Sequence, residues 1–242
     1  MDVGQKPVSL SNSTFDLSAF VRGLTHEIAN PLNAISMNCD LLRLVADRGD
    51  MERVREAVAR LLASSARGAV LTRSLQAFGT ALRRNPAELI PAGSLLEGAI
   101  RAVAIKQEGR IPRFQIDGGD VPLHADRAAL ENAFAALLRN AVEAGSDSIE
   151  IRVREEGGRV VVDICDDGPG FSEYDLAKID TPFYSTRRAP GNVGLGLTLV
   201  REVLRANRGL LRILPAQKGA HVEISFLATE ANASRADSMV GP

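Results

Sequence analysis

Nine positions, Leu17, Val21, Leu24, Ile28, Pro31, Ile35, Asn38, Leu42 and Val45, follow one another at alternating spacings of four and three. That is the seam of a helix built to pack along another helix. Two members interrupt it. Pro31 falls mid-helix, where it removes an N–H and presses on the preceding turn, so a kink is expected. Asn38 is polar in an apolar row. Asp47-Arg48-Gly49-Asp50 ends the run. A second helical stretch places Val54, Val58, Leu61, Leu75 and Leu82 on one face, thinned by Ser64, Ser65, Gly68, Ala69 and Thr72. A hairpin of two such helices leaves one side of its stripe open. Either a second hairpin closes it as a four-helix bundle, or the following domain covers it.

The grammar changes after Arg83-Arg84-Asn85-Pro86. Arg113–Ile116 and Val121–His124 are predicted to be short strands around Gly118-Gly119. Asp126 is placed to cap a helix running through Ala144, with Leu130, Phe134, Leu137, Leu138, Ala141 and Val142 as its apolar side. Ser148–Arg154 and Arg159–Cys165 alternate apolar and polar residues about Glu156-Gly157-Gly158, the pattern of a hairpin. A helix over Gly194–Ala206 and strands over Leu210–Leu214 and Ala220–Leu227 complete the pattern. Mixed strands and helices predict an α/β sandwich following the helical hairpin. The expected divisions are a flexible N-terminal tail (1–13), a helical hairpin (14–85), an α/β domain (86–228) and a disordered tail (229–242).

Composition narrows the function classes. The 242 residues carry 29 Lys plus Arg against 30 Asp plus Glu, a net charge of −1, which excludes a global polycation for nucleic acid. No recognition-helix pattern stands out either. The two cysteines, Cys39 and Cys165, are far apart and lack metal-ligand spacing, so neither a disulfide framework nor a zinc site is expected. Uncharged runs reach only about a dozen residues, short of the ~20 a membrane helix needs. The N-terminus lacks a signal-peptide layout. A soluble, cytoplasmic protein is the expectation.

Four constellations carry chemistry. In His26-Glu27-Ile28-Ala29-Asn30-Pro31-Leu32, His26 lies between seam residues and points away from the bundle axis. An exposed imidazole is a nucleophile when one ring nitrogen is unprotonated, and Glu27 is an adjacent proton acceptor. Asn30, one turn on, is able to orient a water. In Leu138-Arg139-Asn140-Ala141-Val142-Glu143-Ala144, the Asn140 amide oxygen suits Mg²⁺, which takes oxygen donors. Asp166-Asp167-Gly168-Pro169-Gly170 follows an apolar strand. It offers a carboxylate to an exocyclic amine such as that of adenine, with glycines that let backbone approach a flat ligand. Gly191-Asn192-Val193-Gly194-Leu195-Gly196 precedes a helix whose N-terminal N–H groups suit phosphate. The intervening Thr181–Pro190 is polar and breaker-rich, like a lid carrying cations. Taken singly, each has an ordinary reading: an exposed His beside a Glu, a surface Asn, an acidic turn, a loop.

Their order and spacing are less ordinary. From about Phe15 to Leu227 the chain resembles a bacterial two-component sensor histidine kinase core. H-E-I-A-N-P-L looks like the H box, L-L-R-N-A-V-E-A the N box, D-D-G-P-G the G1 box, P-F-Y-S-T-R the F box and G-L-G-L the G2 box. The resemblance implies a dimerisation and histidine-phosphotransfer hairpin followed by a Bergerat-type (GHKL) ATP-binding sandwich. It implies that His26 accepts the γ-phosphoryl of ATP with Glu27 as acid/base partner, and that Asn140 binds Mg²⁺. Asp166 would recognise adenine with Gly168 and Gly170 shaping its pocket, Gly194 and Gly196 would line the phosphates, and Arg187 would act as a lid cation. The implied partners are a second copy of the chain, the receiver domain of a response regulator, and a separate sensor or input protein, since fourteen or so residues before the first helix hold no sensor domain. The Glu27-x-x-Asn30 spacing matches a regulator-phosphatase pattern. Two departures stand out. Ala136 occupies a position where the family usually has a second Asn, and where relatives that hydrolyse ATP carry a general-base Glu, so low direct ATPase activity is expected. Asn192 stands where the glycine-rich box often begins with Gly. The alternatives are a phosphotransfer or scaffold protein with an inactive ATP domain, and a Bergerat-fold clamp or serine kinase, which gives no reason for the H box.

Overall fold

The computed structural model describes residues 7–9, 16–46, 49–81, 83, 85–105, 111–179, 181–185 and 194–228. They form two compact units. One is Phe15–Thr80 with Thr181–Leu195, and the other is Met1–Thr14, Ala81–Asp180 and Gly196–Pro242.

The first unit is built on two long helices, α1 (Leu17–Ala46) and α2 (Met51–Ala81). Pro31 lies inside α1, and the helix continues through it. Besides Phe20, burial falls on rows of one residue per heptad: Pro31, Asn38 and Val45 on α1, and Ala57, Ser64, Leu71 and Phe78 on α2. The polar members of these rows are satisfied locally. Asn38 Nδ2 donates to Ala34 O (2.7 Å), and Ser64 Oγ donates to Arg60 O (2.8 Å). Other seam residues stay exposed, including Leu17, Val21 and Ile28. A groove of about 530 Å³ runs between the helices where the small residues thin α2, lined by Ile28, Leu32, Ile35, Gly68, Leu71 and Leu75 among others.

The second unit contains a six-stranded sheet, and its strands are β1 (Val8–Ser9), β3 (Arg113–Asp117), β5 (Ser148–Glu156), β6 (Arg159–Asp166), β7 (Leu210–Leu214) and β8 (His221–Leu227). Their order is β1-β7-β8-β6-β5-β3, antiparallel except for the parallel pair β3 and β5. A separate two-stranded sheet pairs β2 (Glu88–Pro91) with β4 (Pro122–Ala125). The two strands expected around Gly118-Gly119 thus belong to different sheets. Val8 and Ser9, inside the stretch expected to be a flexible tail, pair with Ile213 and Arg212, because β7 otherwise presents an edge of unpaired backbone groups.

Three helices supply the other layer: α3 (Ala92–Ala104), α4 (Arg127–Glu143) and α6 (Gly196–Ala206). The core joins Leu95 and Leu96, Leu130, Phe134 and Leu138, and Val203 and Leu204 to the inward side of the strands, Ile149, Ile151, Val160, Val162 and Ile224. Alternation sends charged residues to the opposite face, where Arg154 pairs with both Asp163 and Glu223. A short helix α5 (Glu173–Lys178) starts at a capping box. Ser172 Oγ accepts the Asp175 N–H (3.2 Å), and Asp175 Oδ2 accepts the Ser172 N–H (3.1 Å).

Candidate active site

The carboxylate of Asp166 ends β6, so the last strand residue delivers it to the edge of the sheet. Its Oδ1 accepts from Gly168 N (2.9 Å), Ser146 Oγ (3.1 Å) and Ala220 N (3.3 Å). Among the described residues no group donates to Oδ2, which leaves one oxygen to accept from a ligand amine. Gly170 has φ 72° and Gly219 φ 71°, the left-handed region that favours glycine. An added Cβ at Gly219 would collide with the Asp166 carbonyl, and one at Gly170 with the Gly219 carbonyl. Two glycine turns, one on each side of the strand end, are therefore packed backbone to backbone. Asp167 braces the turn from behind. Its Oδ1 accepts the N–H groups of Asp147 (2.8 Å) and Ser148 (3.0 Å), and Lys218 Nζ lies 3.3 Å from Oδ2. The Ser148 and Asp147 N–H groups, with Lys218, hold its carboxyl below the usual range.

α4 links this turn to the second constellation. A Cβ on Gly168 would lie 3.4 Å from Ala144 Cβ, just past the end of α4. One turn earlier on α4 stands Asn140, which is exposed. A Cβ on Gly196, the first residue of α6, would lie 3.6 Å from its Oδ1. Asn140, Asp166, Gly168, Gly170 and Gly196 thus share one rim of the second unit. The amide fits Mg²⁺ as a single neutral oxygen donor. Among the described residues no cluster of three or more His, Cys, Asp or Glu is spaced to hold a metal ion, so phosphate oxygens and water would have to complete the shell. Ala136, one further turn back, is only 1% exposed and supplies no donor to this rim. Gly194 lies in the first unit, where its carbonyl accepts the Phe183 N–H (3.0 Å). Arg187 and Asn192 lie outside the described residues.

His26 belongs to the first unit, and its side chain is 73% exposed on α1, as the seam register predicts. Asn30 Nδ2 lies 3.2 Å from His26 Nδ1, and Glu27 Oε1 lies 3.7 Å from the same nitrogen. Both neighbours therefore address Nδ1, and no described residue engages Nε2. A proton held at Nδ1 toward Glu27, or toward the Asn30 oxygen with the amide turned over, leaves the Nε2 lone pair available to an electrophile.

Reading from sequence missed Ser146, Gly219, Ala220 and the Asp167–Lys218 brace. Gly219 and Ala220 precede a strand that was itself legible, but their distance from Asp166 in the chain hid the contact.

Two family models match the chain. Residues 16–81 match the His Kinase A (phospho-acceptor) domain, and residues 125–230 match the histidine kinase-, DNA gyrase B- and HSP90-like ATPase. Among similar proteins, the C4-dicarboxylate transport sensor protein DctB of Pseudomonas aeruginosa is 29% identical over 86% of this chain. The sensor histidine kinase CpxA of Escherichia coli is 28% identical over 78%. The chain spans 34% of the length of the first and 42% of the second. The fold is shared with the Acinetobacter baumannii histidine kinase AdeS (TM-score 0.56, 20% identity, 84% of this chain and 98% of that one). It is shared also with the catalytic domain of the histidine kinase ThkA (TM-score 0.53, 21% identity, 61% and 99%).

Proposed function

Since the chain is the core of a two-component histidine kinase, we propose that it phosphorylates itself on His26 from Mg-ATP and passes the phosphoryl group to an aspartate of a response regulator. The observation that carries this reading is the surround of His26: an exposed ring whose Nδ1 is faced by Glu27 and Asn30 and whose Nε2 is open. In the step, the Nε2 lone pair attacks the γ-phosphorus. The bond from that phosphorus to the bridging oxygen breaks, and ADP leaves with its electron pair. The ring gains positive charge as the Nε2–P bond forms, and Glu27 accepts the Nδ1 proton, which leaves the phosphoimidazole ring neutral. Asp166 Oδ2 would accept from the adenine amine, Asn140 would hold a Mg²⁺ that neutralises phosphate charge, and Gly194 and Gly196 are proposed to line the phosphates. Arg187 is proposed as the lid cation.

Incubation with γ-labelled ATP and Mg²⁺ tests this. The expected result is acid-labile label on the wild type and none on His26→Ala. Acid-stable label, or label that survives His26→Ala, would overturn it.

The hydrogen-bond distance between Asn30 and His26 favours a second activity at the same turn. We propose regulator-phosphate hydrolysis there, with Asn30 orienting a water beside the imidazole. Asn30→Ala should slow regulator-phosphate decay more than it slows His26 labelling, and unchanged decay would sink the idea.

The exposed seam on α1 and the groove between α1 and α2 support dimerisation through a four-helix bundle. Among the described residues no helix is long and apolar enough to cross a membrane.

A further inference from the structure

Helix α4 ends at a glycine, and the residue after that glycine reaches the Asp166 carboxylate. Gly145 has φ 85°, the left-handed conformation that favours glycine. Its N–H donates to Val142 O (2.9 Å), and the Ser146 N–H donates to Ala141 O (3.2 Å). This pair of bonds is the Schellman motif, and it fixes the residue beyond the glycine relative to the helix. Ser146 is that residue, and it is only 6% exposed. The chain just past it is held as well. Asp167 Oδ1 accepts the N–H groups of Asp147 and Ser148, and Asp147 O accepts the Arg113 N–H (3.0 Å). Ser146 is thus anchored from both sides, with its Oγ 3.1 Å from Asp166 Oδ1. The other two donors to that oxygen, Gly168 and Ala220, are backbone N–H groups. Among the described residues, Ser146 is therefore the one side chain that donates to it. A Cβ on Gly168 would lie 2.7 Å from Ser146 Oγ, so the hydroxyl has room at the carboxylate because position 168 carries no side chain.

We propose that Ser146 is a positioning residue that sets the preference of this site for a purine bearing an exocyclic amine. This rests on the reading of Asp166 as the adenine acceptor. A carboxylate selects an amine only while one oxygen stays aligned with the N–H, because a hydrogen bond weakens steeply as its angle closes. The terminal torsion of an aspartate is broad, so that alignment has to be imposed from outside. Gly168 and Ala220 hold Oδ1 from the turn and from the strand opposite, and Ser146 adds a third point from the end of α4. Three donors from separate segments restrict the torsion and leave Oδ2 as the oxygen without a donor among the described residues. Ser146 also ties this carboxylate to the helix that carries Asn140, so the amine acceptor and the proposed Mg²⁺ ligand share one rigid support. Because Ser146 acts through Asp166, its removal should cost the amine contact and spare the rest of the nucleotide.

Displacement of a fluorescent ATP analogue from the full chain measures this, with ATP set against purine riboside triphosphate, which lacks the amine. Wild type should prefer ATP. Ser146→Ala should lower ATP affinity by about threefold to tenfold and keep the amine-free nucleotide within about twofold of wild type, so the preference shrinks. Gly145→Ala is a second variant. Among the described residues its Cβ would meet nothing within 4 Å, but alanine is strained at φ 85°, so the change acts by shifting the segment that carries Ser146. It should shrink the preference in the same direction and add nothing to it in the Ser146→Ala background. Ser146→Cys, close in shape but a weak donor, should behave like the alanine variant. The proposal is overturned if Ser146→Ala keeps the wild-type preference, if both affinities fall in parallel, or if Ser146→Cys binds both nucleotides as wild type does. A wild type without preference, together with unchanged ATP affinity in Asp166→Asn, would overturn the adenine reading and the proposal with it. ATP affinity that depends on Asp166, with the full preference retained in Ser146→Ala, would overturn the proposal alone and leave the adenine reading standing.

Discussion

Asp166 divides its two oxygens. Oδ1 accepts from Ser146, Gly168 and Ala220, which fixes the carboxylate plane, and among the described residues nothing donates to Oδ2, the oxygen proposed for the adenine amine. A hydrogen bond to a charged acceptor contributes roughly 1.5–3 kcal/mol. Asp166→Asn should therefore weaken ATP binding by about tenfold to a hundredfold, read by equilibrium binding of a fluorescent nucleotide. An unchanged affinity would remove Asp166 from the adenine site. Gly219→Ala should act on the same site from outside it. A side chain at φ 71° that meets the Asp166 carbonyl costs more than ~1 kcal/mol, and nucleotide affinity should fall with it. A thermal midpoint and an affinity both equal to wild type would refute that packing. Asp166 was legible in the sequence because strand, carboxylate and glycine turn are consecutive. Gly219 was not, because only the closed sheet brings it to the turn.

At the scale of elements, Asp126 is a junction. Its Oδ1 accepts the Ala129 N–H (3.1 Å) and so caps α4, the helix that carries Asn140. Its Oδ2 accepts the Asn85 N–H (2.7 Å) from the chain between α2 and β2. Burial alone would raise this carboxyl, but the Asn85 and Ala129 N–H groups, the Asn85 amide and Ala128 outweigh it and hold it below its ordinary value. A group whose folded pKa is depressed stabilises fully above its unfolded value, about 3.9, and loses that contribution as pH falls through the folded value. Asp126→Ala should cost about 1–2 kcal/mol near pH 7, and the gap to wild type should close below about pH 4. Denaturant midpoints across that range measure it, and a pH-independent gap would exclude the linkage. The cap was legible as Asp126 before an apolar helix. Two elements left unassigned also carried signals. Leu95, Leu96, Ala99 and Val103 form the buried stripe of α3, and Ser172-x-x-Asp175 opens α5.

For the whole molecule, the proposed dimer would draw on the apolar residues that line the hairpin's open side. Ile35 lines the groove between α1 and α2. If a second hairpin fills that groove, Ile35→Glu places a charge in the interface and should shift the protein toward monomer in light scattering. A dimer that persists unchanged would move the interface elsewhere. One set of features depends on near neighbours in the chain and is readable there. These are the heptad helices, the exposure of His26 between seam positions, the β5–β6 hairpin, the cap of α4 and the order of the five boxes. Such features follow from helical and strand periodicity and from caps acting within a few residues. The pairings made at a distance emerge on folding: β3 beside β5 rather than β4, Val8 and Ser9 on the edge of β7, Gly219 under Asp166, and Phe183 in the space left by Gly23. Those depend on which surfaces meet after the chain closes, and a glycine that yields space to a ring 160 residues away leaves no periodic trace in the sequence around it.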